Sequence, residues 1–192
     1  MLIRTVDLGP AHVAGLSWGG TIVLELYRRH PELIATLIMI DTHAGWKGSL
    51  PAEEVRARVE GAQLMLAAPE ADVDPSLPGL FAGGPPERFL NLLAAIAADV
   101  RPATLERELA IMAETDLSDL LPHIVVPTLL IWGEQDVRSP LSVAHQFHNA
   151  IPDTELRVIQ GAGHMSNLER PDRVNDAMRA FCRAHPPTGP SV

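Results

Sequence analysis

The chain has 192 residues, 46% of them hydrophobic, enough to bury a core and too apolar for wholesale disorder. Lys and Arg number 15 against 24 Asp and Glu, a net charge of −9 with no basic block, which argues against nucleic acid as a partner. Cys182 has no second cysteine to pair with, residues 1–10 lack the pattern of a secretory leader, and no apolar run approaches the roughly 18 residues that span a bilayer, so the reading is a soluble, cytoplasmic protein with no membrane partner.

Met1–Leu8 reads as the last turns of a helix stopped at Gly9. The β-like run Ala11-His12-Val13-Ala14 follows and leads into Gly15-Leu16-Ser17-Trp18-Gly19-Gly20. A helix is predicted over about Trp18 to Arg29, with Ile22, Val23 and Leu26 on one face, ending near His30 because Pro31 disfavours helical geometry before it. Leu37-Ile38-Met39-Ile40 then reads as a strand that reaches Asp41. Two hydrophobic strands joined by one helix imply a parallel pair.

Residues 47–120 show no strand pattern and three apolar stripes at helical spacing: Val55, Val59, Ala62, Leu66; Phe89, Leu92, Leu93, Ile96; and Leu105, Leu109, Met112. A Pro- and Gly-rich stretch over Asp72–Pro86 separates the first from the second, and the region reads as an inserted helical cap. Strand and helix alternation returns with a strand at Thr128–Trp132, a helix at Pro140–Ile151, a strand at Glu155–Ile159 and a closing helix carrying Val174, Ala177, Met178, Phe181 and Cys182 on its core face. Residues 1–46 and 121–184 thus form the two parts of an α/β core of about four mostly parallel strands, and 185–192 reads as a disordered tail.

The chemistry starts at Gly15-Leu16-Ser17-Trp18-Gly19. A serine in Gly-x-Ser-x-Gly between strand and helix sits on a sharp turn that holds its hydroxyl exposed, and the flanking glycines remove side chains that would clash. The helix start behind it places the Trp18 amide to donate to an oxyanion. Serine needs a base and an orienting group, and both follow in chain order. Asp136 lies in Trp132-Gly133-Glu134-Gln135-Asp136, just past a buried strand, with Glu134 as a nearby competitor. His164 lies in Gly161-Ala162-Gly163-His164, again after a strand. The order Ser, Asp, His is that of α/β-hydrolases and of neither the chymotrypsin nor the subtilisin architecture.

These three blocks together resemble the α/β-hydrolase superfamily, over essentially the whole chain outside the cap. Gly-Leu-Ser-Trp-Gly-Gly and His164-Met165-Ser166-Asn167-Leu168-Glu169-Arg170-Pro171 are similar to the 3-oxoadipate enol-lactonase and carboxylesterase group. The resemblance implies Ser17 as nucleophile, His164 as general base and then acid, Asp136 as its orienter, the Trp18 amide as an oxyanion donor, no cofactor, and a small-molecule ester or lactone as substrate. It also implies about four further strands before the nucleophile and a His-Gly type loop with a second oxyanion N–H. Neither precedes Ser17, so the sequence reads as a fragment, a misassigned start or a degenerate copy. The Ser17 strand is then expected to be a bare apolar edge open to homodimerisation, and one missing donor to lower the rate by about 10² to 10³.

Other residues carry weaker readings. Asp41 is a possible alternative acid, although strand-end carboxylates more commonly cap turns. Trp18, His43 and Trp46 are candidates for binding substrate, the last two by lining the acyl pocket, His43 otherwise reading as an exposed loop residue. His145 and His148 have helical i, i+3 spacing but no carboxylate completes a metal set, and no metal is expected. Three functions compete: ester or lactone hydrolysis; acyl transfer, C–C hydrolysis or perhydrolysis with the same triad; and a non-catalytic truncated pseudoenzyme that binds a partner or ligand. Epoxide hydrolase and dehalogenase chemistry is disfavoured, since the turn would then carry Asp where Ser17 stands.

Overall fold

A computed structural model describes residues 9–67, 79–99 and 101–187. Four strands, β1 (Ala11–Leu16), β2 (Ile34–Ile40), β3 (Thr128–Gly133) and β4 (Thr154–Ile159), form one sheet in the order β1-β2-β3-β4. Every pair is parallel, so all four strands deliver their C-terminal ends to the same rim. The helix predicted at Met1–Leu8 and residues 188–192 of the tail lie outside the described residues, as do residues 72–78 of the 72–86 stretch.

The strands are strand-like because Ile, Val, Leu and Thr alternate between two apolar layers. Leu37, Met39, Leu130 and Trp132 point to one face, where α1 (Trp18–Arg29) and α5 (Leu141–Ala150) cover them with Val23, Leu24, Tyr27, Val143, Ala144 and Phe147. Ile38, Ile40, Leu129, Ile131 and Ile159 point to the other face, against Val174 and Phe181 of α6 (Pro171–Ala184). Ala177, Met178 and Cys182 pack beside them, so the thiol is part of the apolar layer. Central strands buried on both faces read as unbroken apolar runs, which is why β2 and β3 stand out in the sequence.

Helix α1 has the predicted bounds, but its buried face differs. Ile22 is 54% exposed while Val23, Leu24 and Tyr27 are buried. Ile22 sits about 100° around the helix from Val23, and the sheet lies under the row 20, 23, 24, 27, whose aromatic member carries a polar tip. That tip, the Tyr27 hydroxyl, accepts the Val125 amide at 3.0 Å and so fixes the entry to β3.

Between β2 and β3 the described residues form three α-helices and no strand: α2 (Ala52–Ala67), α3 (Leu90–Asp99) and α4 (Pro102–Glu114). Val55, Val59 and Ala62 of α2 are half-buried, as are Leu105, Leu109 and Met112 of α4, and these two helices pack together. The Leu66 side chain lies outside the described residues. In α3 the stripe is not a buried one: Leu92 and Ile96 are both 54% exposed. Among the described residues no helix is long and apolar enough to cross a membrane.

Candidate active site

At the C-terminal rim of the sheet, β1 ends at Ser17. Its backbone has φ 53°, a left-handed conformation costly for a residue with a Cβ, and the strain turns the hydroxyl off the strand. The Ser17 amide donates to the Ile40 carbonyl at 2.9 Å, anchoring the turn to β2, and Trp18 opens α1 with an amide that has no intrahelical acceptor. The glycine requirement is distributed differently from the simple pattern. A Cβ on Gly15 would stand 2.5 Å from the Gly19 carbonyl and one on Gly20 would stand 2.2 Å from the Thr42 hydroxyl, whereas one on Gly19 would meet nothing within 4 Å. Close approach of β1, α1 and the β2 end demands Gly15 and Gly20.

Asp136 and His164 arrive from the ends of β3 and β4. The Ser17 hydroxyl lies 2.8 Å from His164 Nε2, and His164 Nδ1 lies 2.9 Å from Asp136 Oδ2, across 147 and 28 residues of sequence. Asp136 Oδ1 accepts the amides of Arg138 at 2.8 Å and Ser139 at 2.9 Å, so its carboxylate is fully engaged and its orientation fixed. Both Asp136 and His164 are buried, while Ser17 is half-buried and reachable. With Nδ1–H donating to the carboxylate, Nε2 is left as the acceptor for the serine proton, the arrangement a general base needs. Glu134, the competing carboxylate, is exposed and accepts the Gly161 amide at 3.1 Å.

Asp41 has a different place from the alternative acid considered above. It is wholly buried, takes φ 45°, and accepts the Gly133 amide at 2.7 Å and the Ser166 amide at 3.3 Å; the Ser166 hydroxyl lies 2.5 Å from its Oδ2. Burial pushes its carboxyl up to about 8, against the lowering effect of those hydrogen bonds and with a smaller upward push from Asp136.

His43 is buried at 3% exposure, which corrects the exposed-loop reading. The Thr21 hydroxyl donates to the His43 carbonyl at 2.7 Å and its oxygen lies 3.2 Å from Nδ1, and the ring meets Trp46 edge-on at 6.4 Å. Trp46 is itself buried, with the Arg58 guanidinium of α2 over its ring at 5.6 Å. Burial lowers the His43 pKa to about 3, and the nearby charges of Arg58 and His164 push the same way. Because folding depresses this pKa, the unfolded chain takes up the proton first: the contribution of neutral His43 is complete above about pH 6.5 and is lost as pH falls toward 3. Relative to His43→Asn, wild type is expected to lose roughly 2 kcal/mol of stability between pH 7 and pH 5, read by urea unfolding at the two pH values. A pH-independent difference between the two proteins would contradict the assignment.

Trp18 lines a groove with Thr21, Ile22, Ile111 and Leu117 at the junction of α1 and α4, and its backbone amide opens α1 beside Ser17. His145 and His148 are exposed on α5. Two further participants carry no sequence signal of their own. Thr42 donates to the Ser17 carbonyl at 2.5 Å and its own carbonyl accepts the Ser139 hydroxyl, joining the serine turn to the Asp136 loop. Glu169 accepts the amides of Gly163 at 2.6 Å and Ala82 at 2.9 Å, clamping the segment that leads into α3 onto the His164 loop.

A parallel sheet with helices on both faces, a strained serine at one strand end and an aspartate and histidine from the next two strand-end loops define the α/β-hydrolase class of fold. Residues 2–177 match the alpha/beta hydrolase family, and the chain belongs to it. It is 30% identical over 178 residues to the pimeloyl-[acyl-carrier protein] methyl ester esterase of Aromatoleum aromaticum, covering 84% of this chain and 70% of that protein. It is 24% identical to a 2-hydroxy-6-oxononadienedioate/2-hydroxy-6-oxononatrienedioate hydrolase of a Pseudomonas species, covering 89% of this chain and 62% of that one. Among solved structures, a thermophilic esterase from Thermogutta terrifontis superposes with a TM-score of 0.78 at 27% identity, covering 96% of this chain and 69% of the other.

Proposed function

We propose that the chain is a serine hydrolase that cleaves a small carboxylic ester or lactone through an acyl-enzyme. The observation that carries the reading is the 2.8 Å approach of the Ser17 hydroxyl to His164 Nε2, with Asp136 on the opposite ring nitrogen. As Ser17 Oγ attacks the acyl carbon, its proton passes to His164 Nε2, and the carbonyl electrons move to an oxyanion that the Trp18 amide stabilises. Collapse of this intermediate breaks the bond to the leaving alkoxide, which takes the proton from His164. Water then gives a proton to His164 and adds to the acyl carbon; release of the acid returns that proton to Ser17. No cofactor enters either half-reaction.

His43 and Trp46 would form the wall on the acyl side, and residues 47–120 a cap over the rim. Methyl ester cleavage in the name of the Aromatoleum relative supports an ester as the bond broken, and the enol-lactonase likeness of the motifs supports a lactone. The Pseudomonas relative favours a second reading with the same triad, in which the leaving group is a stabilised carbanion and the bond broken is C–C. Analysis of products from paired ester and vinylogous diketone substrates separates the two. Self-association along β1, one of the two edge strands among the described residues, belongs to the same proposal and is read by size exclusion at rising concentration.

The experiment that tests the proposal is covalent labelling with a fluorophosphonate probe, which reacts with a serine only where a neighbouring base activates it. Wild type is expected to label, and Ser17→Ala and His164→Ala are not. Equal labelling of all three, or of none, would remove the catalytic reading and leave a ligand-binding or partner-binding role.

A further inference from the structure

We propose that Asp41 is a positioning residue for the His164–Asp136 pair, its buried carboxyl tying together the two loops that carry them. This rests on the hydrolase reading given above. The loop after β3 leaves the sheet at Gly133, three residues before Asp136, and the loop after β4 continues past His164 to Ser166. Asp41 holds both: Gly133 through its amide at 2.7 Å, and Ser166 through its amide at 3.3 Å and its hydroxyl at 2.5 Å. These contacts join positions 92 and 125 residues apart, and no other side chain among the described residues bonds to both loops from β2.

The geometry has a cost that packing alone would not require. A wholly buried carboxyl faces desolvation, and φ 45° at a non-glycine residue adds backbone strain. An apolar residue would satisfy the neighbouring core without the desolvation cost, but would leave the Gly133 and Ser166 groups unpaired in a dry place. What the carboxyl supplies is a fixed spacing between two loops whose 2.9 Å contact orients the imidazole. Misplacement of about 1 Å in such an arrangement lowers a rate by about 10²-fold.

Asparagine can keep most of this. Its carbonyl accepts the Gly133 amide and its NH₂ donates to the Ser166 hydroxyl, with loss only of the longer Ser166 amide bond, whereas alanine keeps none of the three. The test compares Asp41→Asn, Asp41→Ala and Ser166→Ala in the full chain by p-nitrophenyl ester hydrolysis and by the low-field proton NMR resonance of the His164–Asp136 hydrogen bond. Asp41→Ala is expected to lose about 10²-fold in kcat with KM little changed and to broaden or shift that resonance. Asp41→Asn is expected to retain most of both, and Ser166→Ala to lose about tenfold in kcat.

Wild-type kcat in a folded Asp41→Ala, an unmoved resonance despite lost activity, or asparagine as damaging as alanine would each overturn the proposal. If the alanine variant does not fold, Ser166→Ala decides, since it removes one link and little volume; unchanged kcat and resonance there would refute it. Were wild type itself to neither label nor hydrolyse, the hydrolase reading would fall while the resonance still reported the spacing Asp41 sets.

Discussion

Replacing His164 with alanine is expected to lower kcat for a p-nitrophenyl ester by about 10⁴-fold or more, and Asp136→Asn by about 10⁴-fold. The first removes the acceptor that stands 2.8 Å from the Ser17 hydroxyl, and a serine without a base is a weak nucleophile at neutral pH. The second keeps the size of the side chain and inverts its hydrogen bonding. Asp136 Oδ1 is held by the Arg138 and Ser139 amides, so in Asp136→Asn the single remaining carbonyl oxygen is captured by those two donors and the NH₂ group is turned toward His164. His164 Nδ1 must then accept, the ring proton moves to Nε2, and the imidazole presents a donor to a hydroxyl that needs an acceptor. The size of the asparagine effect therefore depends on the two backbone amides as much as on the lost charge. Steady-state kinetics of both variants with matched far-UV spectra measure it, and rates within tenfold of wild type would sink the triad assignment.

The second large effect is expected at a residue with no chemistry. A Cβ on Gly133 would stand 2.1 Å from the Gly163 carbonyl oxygen and 2.6 Å from that of Ala162, and all of these atoms belong to backbone. No rotamer change relieves such a contact, so in Gly133→Ala the loop carrying Asp136 must part from the loop carrying His164. The same glycine donates its amide to Asp41, and its carbonyl accepts the Asp136 amide at 3.3 Å, so movement there disturbs the orienting group directly. The expected cost is about 1–3 kcal/mol of stability and about 10²-fold or more in kcat. Denaturant unfolding together with ester hydrolysis checks both, and a variant with wild-type stability and rate would contradict the packing described at this rim.

Both effects arise because the reactive groups sit on connections between elements and not within them. Parallel strands place three loop ends side by side, and the buried strands beneath supply the rigidity that a catalytic distance requires. Desolvated Asp41 bonds to the loops after β3 and β4, and desolvated His43 to Thr21 of α1. Their raised and lowered pKa values follow from burial, which their hydrogen bonds partly oppose, whereas Ser17 remains half-buried.

The chain order of strands and helices, the apolar layers of β2 and β3, the bounds of α1 and the three candidate residues that meet at the rim, Ser17, Asp136 and His164, were legible in the sequence, because periodicity, proline and glycine act within a few residues along the chain. Tertiary structure decided the rest. Ile22 faces outward and Tyr27 inward because the sheet under α1 selects one of two plausible apolar rows. Gly20 is sterically required where Gly19 is not, because Thr42, more than twenty residues on, packs against it. Asp41, Thr42, His43 and Glu169 acquire their places by bonds to groups distant in sequence, and no local pattern distinguishes a carboxylate that will bridge two loops from one that will cap a turn. Short-range propensity specifies elements; which polar groups share a dry rim is settled when the strands align, since only then does the energetic cost of an unpaired buried donor take effect.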